Sequence, residues 1–175
     1  IYTRAQMRSV VLAATRRGIR VVPELDMPAH TASWGIGRPD LVVACPRRVA
    51  ADREGLEHGI NKAALDPMSE TTYEVIELLL AELAEVFPDE YVHLGGDEVD
   101  GDCWLTSPSV AAWARSHARR SGADWKHALQ GVFTERVHAI AARHRRRVVL
   151  WDEALEFSSL LPDSMRGERG VVVDV

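Results

Sequence analysis

Apolar residues change their spacing several times along this chain, and each change marks an element. Met7, Val10, Val11 and Ala14 recur at helical intervals behind Thr3-Arg4-Ala5-Gln6, a capping box, and Gly18 stops the helix they predict. Residues 19–25 (IRVVPEL) are almost continuously apolar, as strands covered on both faces of a parallel sheet are, with Pro23 marking an end or a bulge. From 31 to 67 the pattern dissolves into a long irregular connection rich in Gly and Pro, far beyond the ~4–6 residues of a typical join. Helical spacing returns behind a second capping box, Thr71-Thr72-Tyr73-Glu74, with Val75, Leu78, Leu79, Leu83 and Val86 as the expected buried stripe. The turn Phe87-Pro88-Asp89 leads into a strand of about five residues at 90–94. Ser107-Pro108 opens a helix carrying Val110 and Trp113, and Asp124 caps a longer one with Leu129, Val132, Phe133, Val137 and Ile140. Residues 147–150 (RVVL) and 171–173 (VVV) read as two further strands.

Strands alternating with helices at this spacing imply parallel βαβ units. Polar, chemistry-bearing residues follow each of the first three strands, which favours a (β/α) barrel over a doubly wound sheet, and no dinucleotide glycine fingerprint is present. The expected fold is α/β, a partial (β/α)8 TIM barrel with about four parallel strands of the eight. Its first and last strands would be open edges, so residues 1–175 read as an internal fragment of a single catalytic barrel domain.

Charge and composition narrow the function classes. The formal net charge is -5, and the basic clusters Arg119-Arg120 and 143–147 fall at helix C-terminal ends, where cations suit the dipole; no nucleic-acid partner is expected. The most hydrophobic helix is interrupted by Glu74, Glu77, Glu82 and Glu85, so no membrane span is expected. The chain opens Ile-Tyr-Thr without an initiator Met or a signal-like stretch, and the expectation is that the true N-terminus lies upstream. Cys45 and Cys103 lack CxxC or metal-like spacing, which excludes a cysteine-based zinc site and leaves a pair of buried thiols as one reading.

The candidate chemistry centres on residues 90–98, EYVHLGGDE. Side chains alternate across a strand, so Asp97 and Glu98 could not both address one pocket on a straight continuation. Gly95 and Gly96 relax that limit, because glycine accepts backbone angles that re-aim the next side chains. Adjacent carboxylates in a confined mouth repel; one is expected to hold its proton near neutrality while the other stays ionised, the division of labour that general acid catalysis needs. Isolated Asp-Glu dipeptides are mostly solvated loop charges, and it is the strand, the glycines and His93 that distinguish this one.

Three motifs stand together: RGIRVVPELDMPAH at 17–30, YVHLGGDEVDGDCW at 91–104 and RRVVLWDEAL at 146–155. With the SWGIGRPDL loop between them, they resemble the β-N-acetylhexosaminidases of glycoside hydrolase family 20 over nearly the whole chain, in a form similar to the lysosomal and secreted eukaryotic members. The resemblance implies removal of terminal β-linked N-acetylhexosamine by a retaining mechanism, in which the substrate's own 2-acetamido group attacks C1 to give an oxazolinium ion. Glu98 matches the general acid, Asp97 the residue that orients the acetamido group, and His30 a histidine that supports the acid. Trp151 matches one wall of the sugar pocket, and Asp26 and Glu24 look like support behind it. Cys45 and Cys103 fall where these members join two mouth loops by a disulfide, which implies an oxidising or lysosomal compartment. The family needs no cofactor or metal; the expected partner is an N-acetylhexosamine-terminated oligosaccharide or glycoconjugate, and the full-length enzyme is expected as a homo- or heterodimer. Ala29 stands where the family usually has glycine, and the sugar-clamping Arg and the late-strand Tyr, Asp and Trp have no counterparts in these residues.

Two other readings carry different tests. Glu24, Asp26, His30, His93, Asp97 and Glu98 could ligate a divalent metal in a hydrolase barrel, although no HxH or HExxH pair is present. An inactive, sugar-binding remnant would bind N-acetylglucosamine without acid-dependent turnover.

Overall fold

The computed structural model describes residues 2–43, 63–121, 125–155 and 172–174. In chain order the elements begin with α1 (Arg4–Thr15), α2 (Ala32–Gly37), a 3-10 turn (Pro39–Leu41), β1 (Val42–Val43), β2 (Ala64–Leu65) and α3 (Glu70–Val86). They continue with β3 (Tyr91–His93), α4 (Gly101–Trp104), α5 (Pro108–Ser121), α6 (Trp125–Arg143), β4 (Arg147–Trp151), a second 3-10 turn (Asp152–Leu155) and β5 (Val172–Asp174). β3, β4 and β5 form a parallel sheet in that order, in register Tyr91 to Arg147 and Val149 to Val172.

The first capping box forms as its sequence dictates. Gln6 N–H donates to Thr3 Oγ1 at 3.2 Å and Thr3 N–H donates to Gln6 Oε1 at 2.8 Å. The expected strand at 19–25 does not form as a ladder. Those residues run beside β3 with one parallel bridge, Glu24 to His93; His93 N–H donates to Pro23 O and Leu25 N–H to His93 O, both at 2.9 Å. Pro23 has no N–H to donate, so pairing is confined to the end of the segment that leads to Asp26.

The connection at 31–67 is more structured than its composition suggests. It contains α2, the first 3-10 turn and the antiparallel pair β1–β2, in register Val42 to Leu65. Residues 44–62, including Cys45, lie outside the described residues, as does the expected cap Asp124.

α3 also departs from its sequence pattern. It starts at Glu70 behind Ser69 rather than at the second capping box, and Thr72, Tyr73, Ile76, Leu80 and Val86 are its buried residues, whereas Leu78 is 70% exposed. The cause is Tyr73: its hydroxyl donates to Pro67 O at 2.7 Å and its ring lies 5.8 Å from that of Phe133 on α6. Anchored there, the helix turns the Tyr73, Ile76, Leu80 stripe inward and Leu78 out.

The core joins this stripe to Phe133, Val137 and Ile140 of α6 and to Val92, Leu94, Val148 and Leu150. Those four sheet residues alternate with His93, Val149 and Trp151, which therefore point to the opposite face. In a closed barrel that second face is the interior. Among the described residues no helix is long and apolar enough to cross a membrane.

Candidate active site at the strand ends

Beyond β3 the chain holds the sheet for one more residue, Leu94 N–H donating to Val149 O at 2.9 Å, and then turns sharply. Gly95 and Gly96 have φ of +68° and +106°. Gly95 donates its N–H to His93 Nδ1 at 3.0 Å, and its carbonyl accepts from Trp151 N–H at 3.0 Å. Glu98 then takes φ +50°, a left-handed conformation that a residue with a side chain rarely adopts. The two glycines start the re-aiming, and Glu98 itself completes it.

The result brings three acids from two separate segments around one imidazole. His30 Nε2 lies 3.8 Å from Asp26 Oδ2, 3.7 Å from Asp97 Oδ2 and 3.5 Å from Glu98 Oε2. These are ion-pair distances at the outer limit of a direct hydrogen bond or beyond it. Asp26 Oδ1, His30 Nε2 and Asp97 Oδ1 are buried atoms without a hydrogen-bond partner. The side chains of Asp26, His30 and Asp97 are 22–27% exposed and that of Glu98 69%, so Glu98 stands outermost of the four. His30 is itself left-handed, at φ +54°, whereas Ala29 is not, so alanine carries no left-handed strain there.

Asp26 is the carboxyl group whose proton affinity this arrangement lifts, from an ordinary 3.8 to about 6. Burial is the main cause, the Asp97 carboxylate adds to it, and His30 and the Gly96 amide oppose it. The fold brings this about by seating Asp26 under Gly95, at the turn that follows β3. A carboxyl raised on folding favours the folded state while protonated, so this contribution is complete below about pH 4 and is lost as pH rises through about 6. Asp26→Asn is therefore expected to gain about 1 kcal/mol of stability relative to the parent between pH 4 and pH 7, after solvent screening at this partly exposed site is allowed for. Urea unfolding at the two pH values measures it, and a pH-independent difference would contradict the assignment.

Asp26, His30 and Asp97 each offer one ligand atom, all within 4.8 Å of one another, and are the group among the described residues that could hold a cation. Glu24 and His93 do not join this cluster. Glu24 Oε1 lies 3.4 Å from His93 Nδ1, and the His93 ring packs against that of Trp151 at 4.7 Å and 57°. Trp151 thus stands beside the glycine turn, on the face of the sheet opposite the core, with His93 as its neighbour. Cys103 is buried in α4 and is not a free thiol; the pairing implied with Cys45 falls outside the described residues.

Two residues at the site carried no sequence-level assignment. Gln130, 6% exposed on α6, donates Nε2 to Gly96 O at 2.8 Å, and Glu153 Oε2 accepts from Glu98 N–H at 2.8 Å. Both hold backbone atoms, an interaction that leaves no spacing signature, although Glu153 follows the third strand end and could have been suspected from that position. Both line a cavity of about 330 Å³ with Glu98 and Trp104.

Parallel strands backed by helices, with a cluster of carboxylates and a histidine where the strands end, define the class: part of a β/α enzyme domain with its site at the carboxyl ends of the strands. The chain belongs to glycosyl hydrolase family 20, whose catalytic-domain model matches residues 1–168. It is 34% identical over 176 residues to the human β-hexosaminidase subunit beta, covering 100% of this chain and 29% of that protein. The pig subunit beta is 35% identical over 156 residues, covering 89% of this chain and 28% of the relative. The chain thus spans less than a third of the length of these curated relatives. Among solved structures, a chitobiase from Flavobacterium johnsoniae superposes with a TM-score of 0.73 at 26% identity, covering 98% of this chain and 24% of its own. An exo-β-N-acetylglucosaminidase from Vibrio harveyi, in complex with N-acetylglucosamine, gives 0.70 at 27% identity, covering 99% and 25%.

Proposed function

We propose that the whole protein hydrolyses terminal, non-reducing β-linked N-acetylhexosamine residues, with retention and with the substrate's acetamido group as the nucleophile. The observation that carries this reading is the convergence of Asp97 and Glu98 on His30 at the strand ends, 3.7 Å and 3.5 Å from its Nε2. Neither family membership nor the dipeptide alone would require it.

In this reading Glu98, outermost of the three acids, protonates the departing glycosidic oxygen and then takes a proton from the attacking water. Asp97, deeper in the site, accepts the acetamido N–H, pushing the carbonyl oxygen toward C1 and balancing the positive charge of the oxazolinium ion. His30 holds the two acids apart and in register. Trp151 forms one wall for the sugar, while Asp26, through His30 and Asp97, and Glu24, through His93, support the layer beneath. A carboxylate acting on the amide replaces an enzyme nucleophile, which is the exception family 20 makes to the two-carboxylate scheme. The Vibrio harveyi neighbour, an exo-β-N-acetylglucosaminidase in complex with N-acetylglucosamine, supports the substrate class.

The same reading completes the architecture. The three sheet strands and the bridged segment at 19–25 are four consecutive parallel strands of an eight-stranded TIM barrel, and residues 1–175 belong to that one catalytic domain. Cys45 and Cys103 form a disulfide between mouth loops, and the protein works in a lysosomal or secreted compartment. The mammalian relatives are named as subunits, which supports a homo- or heterodimer.

The test is a series of aryl 2-acylamido glycosides in which the acetyl group is progressively fluorinated. Each fluorine weakens the amide oxygen as a nucleophile, so kcat is expected to fall steeply along the series. A flat series would sink the substrate-assisted reading.

A further inference from the structure

Glu98 has a conformation that its own residue type resists. At φ +50° its backbone is left-handed, although a turn of this kind would ordinarily be given to glycine or asparagine. Such a conformation persists only where the surroundings over-determine it. Two anchors meet that requirement. At one end of the turn, Gly96 O accepts from the buried Gln130 side chain at 2.8 Å, and a Cβ on Gly96 would stand 2.9 Å from the Ala154 methyl, so this end is packed as well as bonded. At the other end the Glu98 amide donates to Glu153 Oε2 at 2.8 Å, a charge-assisted bond from a residue 55 positions away in the 3-10 turn after β4.

We infer that Glu153 is a positioning residue for Glu98, holding its amide so that the left-handed turn aims the Glu98 carboxyl at the leaving-group side of the site. The inference rests on the reading of Glu98 as the proton donor. Glu153 reaches the backbone of Glu98 and no reacting atom is assigned to it. A carboxylate accepts this bond at any pH where it is ionised, and an amide oxygen at the same position would accept it too. Among the described residues the Glu98 amide has this one hydrogen-bond acceptor, so removing it frees the backbone at that end to relax toward an ordinary right-handed or extended conformation, with only the 3.5 Å contact of the carboxyl with His30 opposing. Alternation then carries its carboxyl away from His30 and Asp97, while Gln130 still holds the Gly96 end.

The experiment compares two aryl N-acetyl-β-glucosaminides in the whole protein, one with a phenol that departs unaided and one with a phenol that needs a proton. Glu153→Ala is expected to lower kcat on the demanding substrate about tenfold or more, with a much smaller loss on the activated one and little change in KM, because a donor displaced by about an ångström loses up to a hundredfold. Glu153→Gln is expected to restore most of the activity, since its amide oxygen accepts the same N–H. Equal losses on both substrates, no loss at all, or failure of Glu153→Gln to improve on Glu153→Ala would overturn the inference. Glu98→Gln in the same assay separates the two levels. If it lacks the leaving-group dependence, the reading of Glu98 as the acid fails; if it shows the dependence and Glu153→Ala does not, only the role given to Glu153 fails.

Discussion

Glu98→Gln is expected to lower the turnover of an unactivated N-acetylhexosaminide by roughly 10²–10⁴-fold, the usual contribution of a positioned general acid. The substitution keeps the volume and the backbone amide bonded to Glu153, and it removes only the transferable proton. Because the Glu98 side chain is 69% exposed, the amide finds water in place of its former partner and the fold is not expected to change. The loss should shrink with an aryl leaving group that departs without protonation, and the circular dichroism spectrum and thermal midpoint should match the parent. Turnover within tenfold of the parent on the unactivated substrate would mean that the proton comes from elsewhere.

Gly95→Ala is the substitution expected to cost the most stability at the site. A Cβ there would stand 1.8 Å from Asp26 Oδ1 and 2.7 Å from the Asp26 Cα, and the φ of +68° is already unfavourable for alanine. A side-chain oxygen can swing away, but the Asp26 Cα is backbone, held by Leu25 N–H to His93 O on one side and Met27 N–H to Leu94 O on the other. The expected loss is roughly 3 kcal/mol or more, combining the left-handed penalty with overpacking. Gly18 supplies the control, because at φ +72° a Cβ there would meet nothing within 4 Å, and Gly18→Ala should show the conformational cost alone, about 1 kcal/mol. Urea unfolding of the two variants decides the matter: similar losses would mean that the contact with Asp26 is unimportant. Activity should fall with Gly95→Ala as well, since the same overlap displaces Asp26 from His30 and Asp97.

Much of the fold was legible because the signals are local. The capping box at Thr3 and Gln6, the Ser107-Pro108 helix start, and the β-branched run in 147–150 each depend on residues close together in the chain, and each forms where it was expected. The departures have separate physical causes. Leu78 has the right spacing to be buried on α3, but Tyr73 fixes the helix rotation through Pro67 and Phe133. The segment at 19–25 has strand composition, but Pro23 limits its pairing to the end beside His93. The connection at 31–67 contains β1 and β2, two strands of two residues each, too short to leave a periodic signal.

The site divides along the same line. The sequence by itself determined which residue types stand where strands end: Asp26 and His30 after the first segment, Asp97 and Glu98 after the second, Trp151 and Glu153 after the third, with glycines where the chain must turn. Only the tertiary structure decided which of them meet. Asp26 gains proton affinity because it is buried beneath Gly95 and beside Asp97. Glu98 joins Asp97 at His30 because Gln130 and Glu153 hold a turn that the sequence around it does not favour. The period of a strand is a property of neighbouring residues, whereas the aim of a carboxylate and its affinity for a proton depend on groups that folding brings from far along the chain.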